Sequence, residues 1–190
     1  MTIKYKKFRE GLIKLKKTLS GITVDCVKGN IAAQKGYDAV VNAANAWLRP
    51  GGGVAGCIHM AAGPGLVEEC RPLAPIKPGQ AVITGAHNLP NRYVIHCLGP
   101  VYGRDEPADR LLAECYRNAL RLAEQYQVAS VACPVISTGA FGYPFREAVQ
   151  VILSALKEMI PQLNTVKRIT FVVRSDEKYK ILKQALDNFY

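Results

Sequence analysis

The sequence feature that most constrains the fold is residues 39–62, where an apolar, strand-like segment leads through a glycine-rich loop into a helix. The segment ends in two amides, Asn42 and Asn45, which a strand inside a core would not favour. Three consecutive glycines follow at 51–53. The helix after them is predicted to have an apolar face made by Val54, Ile58 and Ala61. The order strand, loop, helix is typical of an α/β domain.

This first glycine loop is suited to an anion. Glycine lets backbone N–H groups approach a ligand with no Cβ in the way, and a helix N-terminus adds unpaired donors. A tight turn without a ligand is the alternative. A second glycine loop at 137–142 follows another apolar strand. In open α/β sheets ligands bind outside the carboxyl ends of the strands, so two such loops can hold a diphosphate between them. The sequence contains neither GxxxxGK[ST] nor GxGxxG.

The net charge of +10 is unevenly distributed along the chain. Residues 1–20 hold seven Lys or Arg and one acid, so the other 18 basic and 14 acidic residues leave a mildly basic body. An apolar stripe with helical spacing runs through the basic segment at Tyr5, Phe8, Leu12, Leu15 and Leu19. We expect a basic amphipathic helix over 1–20, packed on one domain over 21–190. A membrane-surface or nucleic-acid arm is the alternative, although the body charge does not require nucleic acid.

The six cysteines are scattered singly, mostly among apolar neighbours, with no CxxC pair and no zinc-type spacing. Cys57 and His59 are close in sequence, but a metal site needs more ligands than these. The sequence shows no apolar run long enough to span a membrane and no secretory signal. We expect a reduced, cytoplasmic, monomeric protein without a metal or a bound cofactor.

Strand-like and helix-like segments alternate along the body of the chain. Strands are predicted at 22–28, 39–44, 81–84, 93–98, 130–136 and 168–173. Beyond the helix that follows the first glycine loop, helices are predicted at 65–74, 108–126, 144–160 and 176–189. The segment 130–136 is continuously apolar, which is typical of a strand buried on both faces. This alternation predicts a three-layer α/β/α sandwich with a central mixed sheet.

Several polar and aromatic side chains near the two loops could contact a sugar. The amide of Asn45 can donate to and accept from hydroxyl groups, and Phe141 offers a flat apolar surface to a ribose ring. A packing role under the loop is the alternative for Phe141. His59 could act as a general base, although a histidine on a helix is more often a packing residue. His87 and His96 have no evident partner in the sequence.

A set of short motifs follows in a fixed order over about residues 22–189: Gly29-Asn30-Ile31, Asn42-Ala-Ala-Asn45, Gly51-Gly-Gly-Val54, Ile58-His59, Ala61-Ala-Gly-Pro64, Glu69-Cys-Arg71, Ile83-Thr-Gly85, Leu89-Pro90, Val94-Ile-His96, Gly99-Pro100 and Ser137-Thr-Gly-Ala-Phe-Gly142. Together they resemble the macrodomains, a family that binds ADP-ribose, and most closely its MacroD-type branch. The resemblance implies the macrodomain fold. It also implies ADP-ribose or an ADP-ribosylated protein as the partner.

The resemblance implies roles for individual positions. Asn30 falls where the family has an acid that accepts from the adenine amino group, and its uncharged carbonyl oxygen can still accept. Asn45 falls at the contact with the distal ribose and Phe141 where an aromatic ring packs on that ribose, while Asn42 is expected to brace the loop. Arg174 falls where a side chain stacks on adenine, with a plain surface arginine as the alternative. The implied ADP-ribose-binding set is Asn30, Ile31, Asn45, Gly51, Gly52, Gly53, Val54, Ser137, Thr138, Gly139, Ala140, Phe141, Gly142 and Arg174.

Two departures from the family pattern bear on catalysis. MacroD-type hydrolases carry an acid two residues after the last loop glycine, which helps to position or activate water, and here that position is Ala55. Similar viral macrodomains also have alanine there but place a histidine just before the glycines, where this chain has Pro50. Without either base, hydrolysis would use a water held against the ligand's own phosphate. The implied catalytic residues are Asn45, Gly53 and Phe141.

We therefore expect ADP-ribose binding together with hydrolysis of mono-ADP-ribosyl linkages on acidic side chains, or deacetylation of O-acetyl-ADP-ribose. A module that holds ADP-ribose without turnover is the alternative, because Ala55 replaces the acid. A nucleic-acid or polyanion binder acting through the basic N-terminal helix is the third possibility. Its binding would weaken steeply with salt.

Overall fold

The computed structural model of the protein describes residues 18–189. Its strands are β1 (Thr23–Lys28), β2 (Ala39–Ala43), β3 (Ala81–Gly85), β4 (Tyr93–Cys97), β5 (Ser130–Cys133) and β6 (Arg168–Val173). They form one six-stranded sheet in the order β1-β6-β5-β2-β4-β3. The pairs β1–β6, β6–β5, β5–β2 and β2–β4 are all parallel. The edge strand β3 pairs antiparallel with β4. The prediction of a mixed sheet is confirmed.

Five α-helices lie between or after these strands in the described part of the chain: α1 (Gly53–Ala62), α2 (Pro64–Cys70), α3 (Ala108–Gln125), α4 (Phe145–Met159) and α5 (Asp176–Asp187). Short 3-10 turns occur at Ile31–Ala33, Arg71–Leu73 and Ile160–Gln162. Within residues 18–189, none of these helices combines the length and the apolar character that crossing a membrane would require.

The core occupies both faces of the sheet, because successive residues of a strand point to opposite sides. Val41 and Ile95 pack in a cluster that contains residues of α3, α4 and α5. Their neighbours Val40 and Val94 pack in a second cluster, with residues of α1 and α2. Helices therefore cover the sheet on both sides, and the predicted three-layer α/β/α sandwich is confirmed.

Some observed boundaries differ from the predicted ones where a local residue overrides the apolar pattern. Strand β5 ends at Cys133 rather than Ile136, because Pro134 has no N–H to give to a strand ladder. Helix α4 begins at Phe145, and Pro144 is its N-cap residue rather than its first helical residue. The predicted helix over 65–74 is shorter, since α2 gives way to a 3-10 turn.

The apolar face predicted for α1 is partly wrong. The helix buries residues at the spacing i, i+3, i+4 and i+7, namely Ala55, Ile58, His59 and Ala62. Val54 is only half-buried and Ala61 is exposed. The buried face is thus shifted by about one residue from the predicted face. It includes the polar side chain of His59, which was not part of the prediction.

The predicted helix over 1–20 lies almost wholly outside the described residues, and the division into 1–20 and 21–190 stays a prediction. Within the described part, Leu19 is not helical. Leu19 and Ile22 exchange two backbone hydrogen bonds, of 3.0 and 2.9 Å, across a turn formed by Ser20 and Gly21. Both turn residues have positive φ, 49° and 78°, so any helix must end before this turn.

Candidate functional site

A cavity of about 590 Å³ opens at the carboxyl ends of the parallel strands β2, β5 and β6. Its wall includes residues 51–55 of the first glycine loop, residues 134–141 around the second, and residues 172–175 after β6. A volume of this size is ordinary for a small-molecule site. The parallel topology therefore brings the two glycine loops, which are far apart in sequence, to one site, as the sequence predicted.

The side chain of Asn45 fixes the turn that leads into the first glycine loop. Its Nδ2 donates to the carbonyl oxygen of Arg49 at 2.7 Å, and its Oδ1 accepts from the N–H of Arg49 at 3.1 Å. Asn45 also lines the cavity. A primary amide has two N–H groups and two lone pairs, so one donor and one acceptor position remain for a ligand.

The N-terminus of α1 forms part of the cavity wall. Gly53 is its first residue and has a left-handed φ of 59°, while Gly52 before it is the N-cap residue. No side chain in the described part of the chain caps this helix. First-turn N–H groups have no acceptor within a helix, so these donors and their partial positive charge are left for a ligand.

The second glycine loop presents a further row of backbone donors. It turns through Ser137, which is buried and has a φ of 66°. The carbonyl oxygen of Ser137 accepts from the N–H of Tyr143, and that of Gly139 from the N–H of Gly142, both at 3.0 Å. The hydrogen bonds found within residues 18–189 do not use the N–H groups of 139–141. Three consecutive donors are therefore free at the cavity wall.

The tip of the second loop is held from outside the cavity. Phe141 is half-buried, and its carbonyl oxygen accepts from the N–H of Tyr102 at 2.9 Å. Gly99 permits the close approach of the loop, because a Cβ there would lie 2.2 Å from the Oγ of Ser137. The aromatic ring therefore belongs to a well-supported loop at the cavity wall.

The charged side chains that line the cavity within the described residues are basic rather than acidic. Arg174 donates to the Sγ of Cys57 at 2.8 Å. The Nζ of Lys178 lies 3.5 Å from the carbonyl oxygen of Thr138 and 5.2 Å from the centre of the Phe145 ring. Together with the free N–H groups of both loops, these cations favour an anionic ligand.

Most of the predicted binding residues line this cavity: Ile31, Asn45, Gly51, Gly52, Gly53, Val54, Ser137, Thr138, Gly139, Ala140, Phe141 and Arg174. Asn30 and Gly142 do not. Asn30 caps the 3-10 turn that follows it, and its Oδ1 accepts from the N–H of Ala32 at 3.2 Å. Gly142 turns the chain towards α4 with a φ of 71°. The oxygen expected to receive adenine thus has a backbone partner instead.

Gly29 and Lys178 are among the wall residues that were not assigned a site role from the sequence. Gly29 follows β1, and Lys178 lies in the first turn of α5, directly after β6. Both lie where a strand ends, so the rule that ligands bind at the carboxyl edge of the sheet could have identified them.

His59 and Asn42 lie in the core and not on the cavity wall. Burial lowers the pKa of the His59 imidazole. Because its ring lies off the cavity wall, it cannot act as a base on a ligand there. Asn42 was expected to brace the loop, but it does not. Its Nδ2 instead lies 3.1 Å from the Nδ1 of His96, whose pKa burial lowers to about 3.

The described residues include one group with metal-ligating chemistry. Ligand atoms of His59, Cys70 and His96 all lie within 4.8 Å of one another, and all three side chains are buried. The three come from α1, α2 and β4 and are widely spaced in sequence, so no local spacing pattern indicated them.

The protein has a mixed β-sheet between two layers of helices. Two glycine loops at the carboxyl edge of this sheet form a positively charged cavity. These features define the class of anion-binding α/β proteins. Residues 41–152 match the family model described as "Macro domain". The Macro domain-containing protein of Methanosarcina mazei is 44% identical over 160 residues, which cover 84% of this chain and 85% of that protein. The chain belongs to the Macro domain family.

Another relative is an enzyme by name. Human ADP-ribose glycohydrolase MACROD2 is 42% identical over 170 residues, covering 88% of this chain but only 40% of that protein. Among solved structures, a mutant Oceanobacillus iheyensis macrodomain with ADPR has a TM-score of 0.85 at 33% identity, over 92% of this chain and 97% of that one. The Trypanosoma brucei macrodomain in complex with ADP-ribose has a TM-score of 0.81 at 31% identity, over 87% and 71%.

Proposed function

We propose that the protein binds ADP-ribose in this cavity and hydrolyses mono-ADP-ribosyl linkages on acidic side chains or deacetylates O-acetyl-ADP-ribose. The observation that carries the proposal is the pair of glycine loops whose unpaired N–H groups line one cavity. The similarity to an ADP-ribose glycohydrolase and to macrodomains that hold ADP-ribose supports it.

The cavity offers a distinct environment to each part of ADP-ribose. The diphosphate takes the free N–H groups of residues 53–55 and 139–141, with Lys178 adding positive charge. The adenosine end lies towards Gly29 and Arg174, whose guanidinium can stack on a base. The distal ribose takes the spare donor and acceptor of the Asn45 amide, and its apolar face packs on Phe141.

The site lacks the groups for conventional acid–base catalysis. Among the described residues, no carboxylate and no histidine lines the cavity, and Ala55 stands at the start of α1. A water molecule held by a phosphate oxygen of the ligand therefore attacks C1 of the distal ribose. The bond from this carbon to the carboxylate oxygen of the modified side chain breaks, and the proton of the water passes to the phosphate. Positioning and fixed dipoles supply the acceleration.

This chemistry suits one class of linkage. A departing Asp or Glu carboxylate has a pKa of about 4 in water, so it leaves as an anion without a general acid. A guanidine leaving group is far more basic than a carboxylate, and the described cavity wall holds no carboxylic acid or histidine to protonate it as it departs. We therefore expect the enzyme to act on linkages to acidic side chains and to leave ADP-ribosylated arginine intact.

A binding module without turnover is the second candidate, and the observation that favours it is Ala55 at the cavity wall. Release of ADP-ribose from a protein mono-ADP-ribosylated on glutamate, followed by mass spectrometry, separates the two candidates. The wild type is compared with Ala55→Asp. The control is Gln150→Ala, at an exposed position of α4. Binding by calorimetry without release supports the module. Absence of binding at millimolar ADP-ribose refutes both.

A further inference from the structure

A second group of residues, apart from the cavity wall, has the chemistry of a metal site. His59 of α1, Cys70 at the end of α2 and His96 of β4 come together in the core. None of the three lines the proposed ADP-ribose cavity. We infer that these side chains form a binding site for one monovalent copper ion.

The distances between the ligand atoms fit a metal with three ligands. The Sγ of Cys70 and the Nε2 of His96 are 3.7 Å apart, and a ring nitrogen of His59 lies within 4.8 Å of both ligand atoms. Metal bonds of about 2.0 Å to nitrogen and 2.3 Å to sulfur separate trigonal ligand atoms by about 3.5–3.7 Å. From a separation of at most 4.8 Å, the His59 nitrogen has to move by no more than about 1.3 Å to reach that distance.

The hydrogen bonding of this part of the core is incomplete without a ligand. His59 is only 4% exposed, and neither of its ring nitrogens has a partner among the described residues. Six buried side-chain atoms lack a partner within residues 18–189, and three of them belong to His59 and Asn42. Unpaired polar atoms in a core are costly, and an ion is one of the recognised explanations.

Asn42 provides the outer contact that a metal-bound histidine requires. Its Nδ2 faces the Nδ1 of His96, while its own Oδ1 has no partner in the described structure. Turning the amide end for end places Oδ1 where it accepts an N–H from Nδ1, which frees Nε2 for the ion. Thr84, 2.9 Å from that Nε2, already donates its hydroxyl to the carbonyl oxygen of Gly85 at 3.0 Å.

Ligand softness and burial together select the ion. One thiolate and two imidazoles favour copper(I) or zinc over hard cations. A univalent ion gives a neutral complex with one thiolate, whereas Zn²⁺ leaves a net positive charge in the core, which is costly. The nearby carboxylate of Glu69 does not compensate, since it contacts His87 at 2.7 Å and the N–H of Gly85 at 3.0 Å.

Binding involves no change in oxidation state. The S–H bond of Cys70 is replaced by a sulfur–copper bond, and the proton passes to solvent. Burial and the charge of Glu69 raise the pKa of this thiol to about 11, so the ion has to displace a firmly held proton. The complex joins α1 and α2 to β4, and it therefore stabilises the folded state only.

The test is an anaerobic titration with copper(I) held in its coloured bicinchoninate complex. The starting protein carries Cys26→Ser and Cys57→Ser, which remove the two half-buried thiols that could compete for the ion. We expect one copper per chain, a raised unfolding temperature, and a copper X-ray absorption spectrum with one sulfur and two nitrogen neighbours. Cys133→Ala is the matched control, because it removes a thiol buried elsewhere in the core.

In this background Cys70→Ala and His59→Phe should each lose the bound copper, and Cys133→Ala should retain it. Circular dichroism verifies that each variant is folded. If one of the two variants does not fold, the other still tests the site. Full copper uptake by folded Cys70→Ala, or no uptake by the starting protein, overturns the inference. Zinc bound by these residues in the absence of copper uptake overturns the choice of ion.

Discussion

The α-carbon of Gly56, one turn into α1, packs against the backbone carbonyl of Gly51 in the first glycine loop. A Cβ at Gly56 would lie 2.2 Å from the carbonyl oxygen of Gly51, far closer than any real contact. The N–H of Gly56 also donates to the carbonyl oxygen of Gly52 at 3.3 Å. The loop is therefore folded back on the helix that follows it, and this contact sets where its N–H groups lie.

Gly56→Ala should displace the first loop and weaken ADP-ribose binding at least tenfold. The added methyl group meets backbone rather than a flexible side chain, so overpacking should also cost about 1–3 kcal/mol of stability. Calorimetric titration with ADP-ribose and thermal unfolding measure the two effects. Met60→Ala, on the exposed face of the same helix, should change neither. Wild-type affinity in folded Gly56→Ala would contradict the role given to the contact.

Gly52→Val should abolish ligand binding while leaving the stability of the protein almost unchanged. A Cβ at Gly52 meets no atom within 4 Å, and its φ of −82° and ψ of 174° suit a branched residue. We expect the free energy of unfolding to change by less than about 0.5 kcal/mol. ADP-ribose binding should nevertheless be lost at millimolar ligand, because Gly52 lines the cavity and a branched side chain would take up space at its wall. Unchanged binding would show that the diphosphate does not lie against this loop.

Asn45→Ala tests the contact proposed with the distal ribose against the role of Asn45 in the turn. ADP lacks that ribose, so a ribose contact predicts weaker binding of ADP-ribose with little change for ADP. If the turn at Arg49 is what matters, the affinity for both ligands falls together. We expect selective loss and a decrease in kcat/KM of about 10–100-fold, or about 1.4–2.8 kcal/mol. Equal loss for ADP and ADP-ribose would contradict the ribose contact.

Stability should decrease as the pH falls from about 6.5 towards 3. Burial lowers the pKa of His96 to about 3, and it also lowers that of His59, from an ordinary value of 6.5. Over that window the unfolded chain binds more protons than the folded one, so unfolding becomes more favourable as acid is added. The free energy of unfolding, measured with urea at several pH values, should fall less steeply on acidification in His59→Phe than in the wild type, and His87→Gln is the matched variant outside the core.

The contrary result would be a free energy of unfolding that falls as steeply with acid in His59→Phe as in the wild type. His87 is partly exposed and pairs with the carboxylate of Glu69 at 2.7 Å, so it serves as a matched histidine outside the core.

The sandwich and the meeting of the two glycine loops could be predicted from the sequence. Apolar periodicity reports which side of an element is buried, and parallel strands place their carboxyl ends at one edge of a sheet. The contact between Asn42 and His96 could not be predicted, because a residue's period along its own strand does not identify its neighbour on the next one. The same applies to Arg174 and Cys57, which approach from different elements.

The amino-acid sequence by itself determined the order of strands and helices, the position of both loops and the family resemblance, because these depend on local spacing and residue type. Only the tertiary structure decided that Asn30 faces its own backbone, that Lys178 lines the cavity, and that His59 lies beside Cys70 and His96. Side-chain partners depend on how elements pack in three dimensions. That packing is a cooperative property of the whole core, and no local stretch of sequence encodes it.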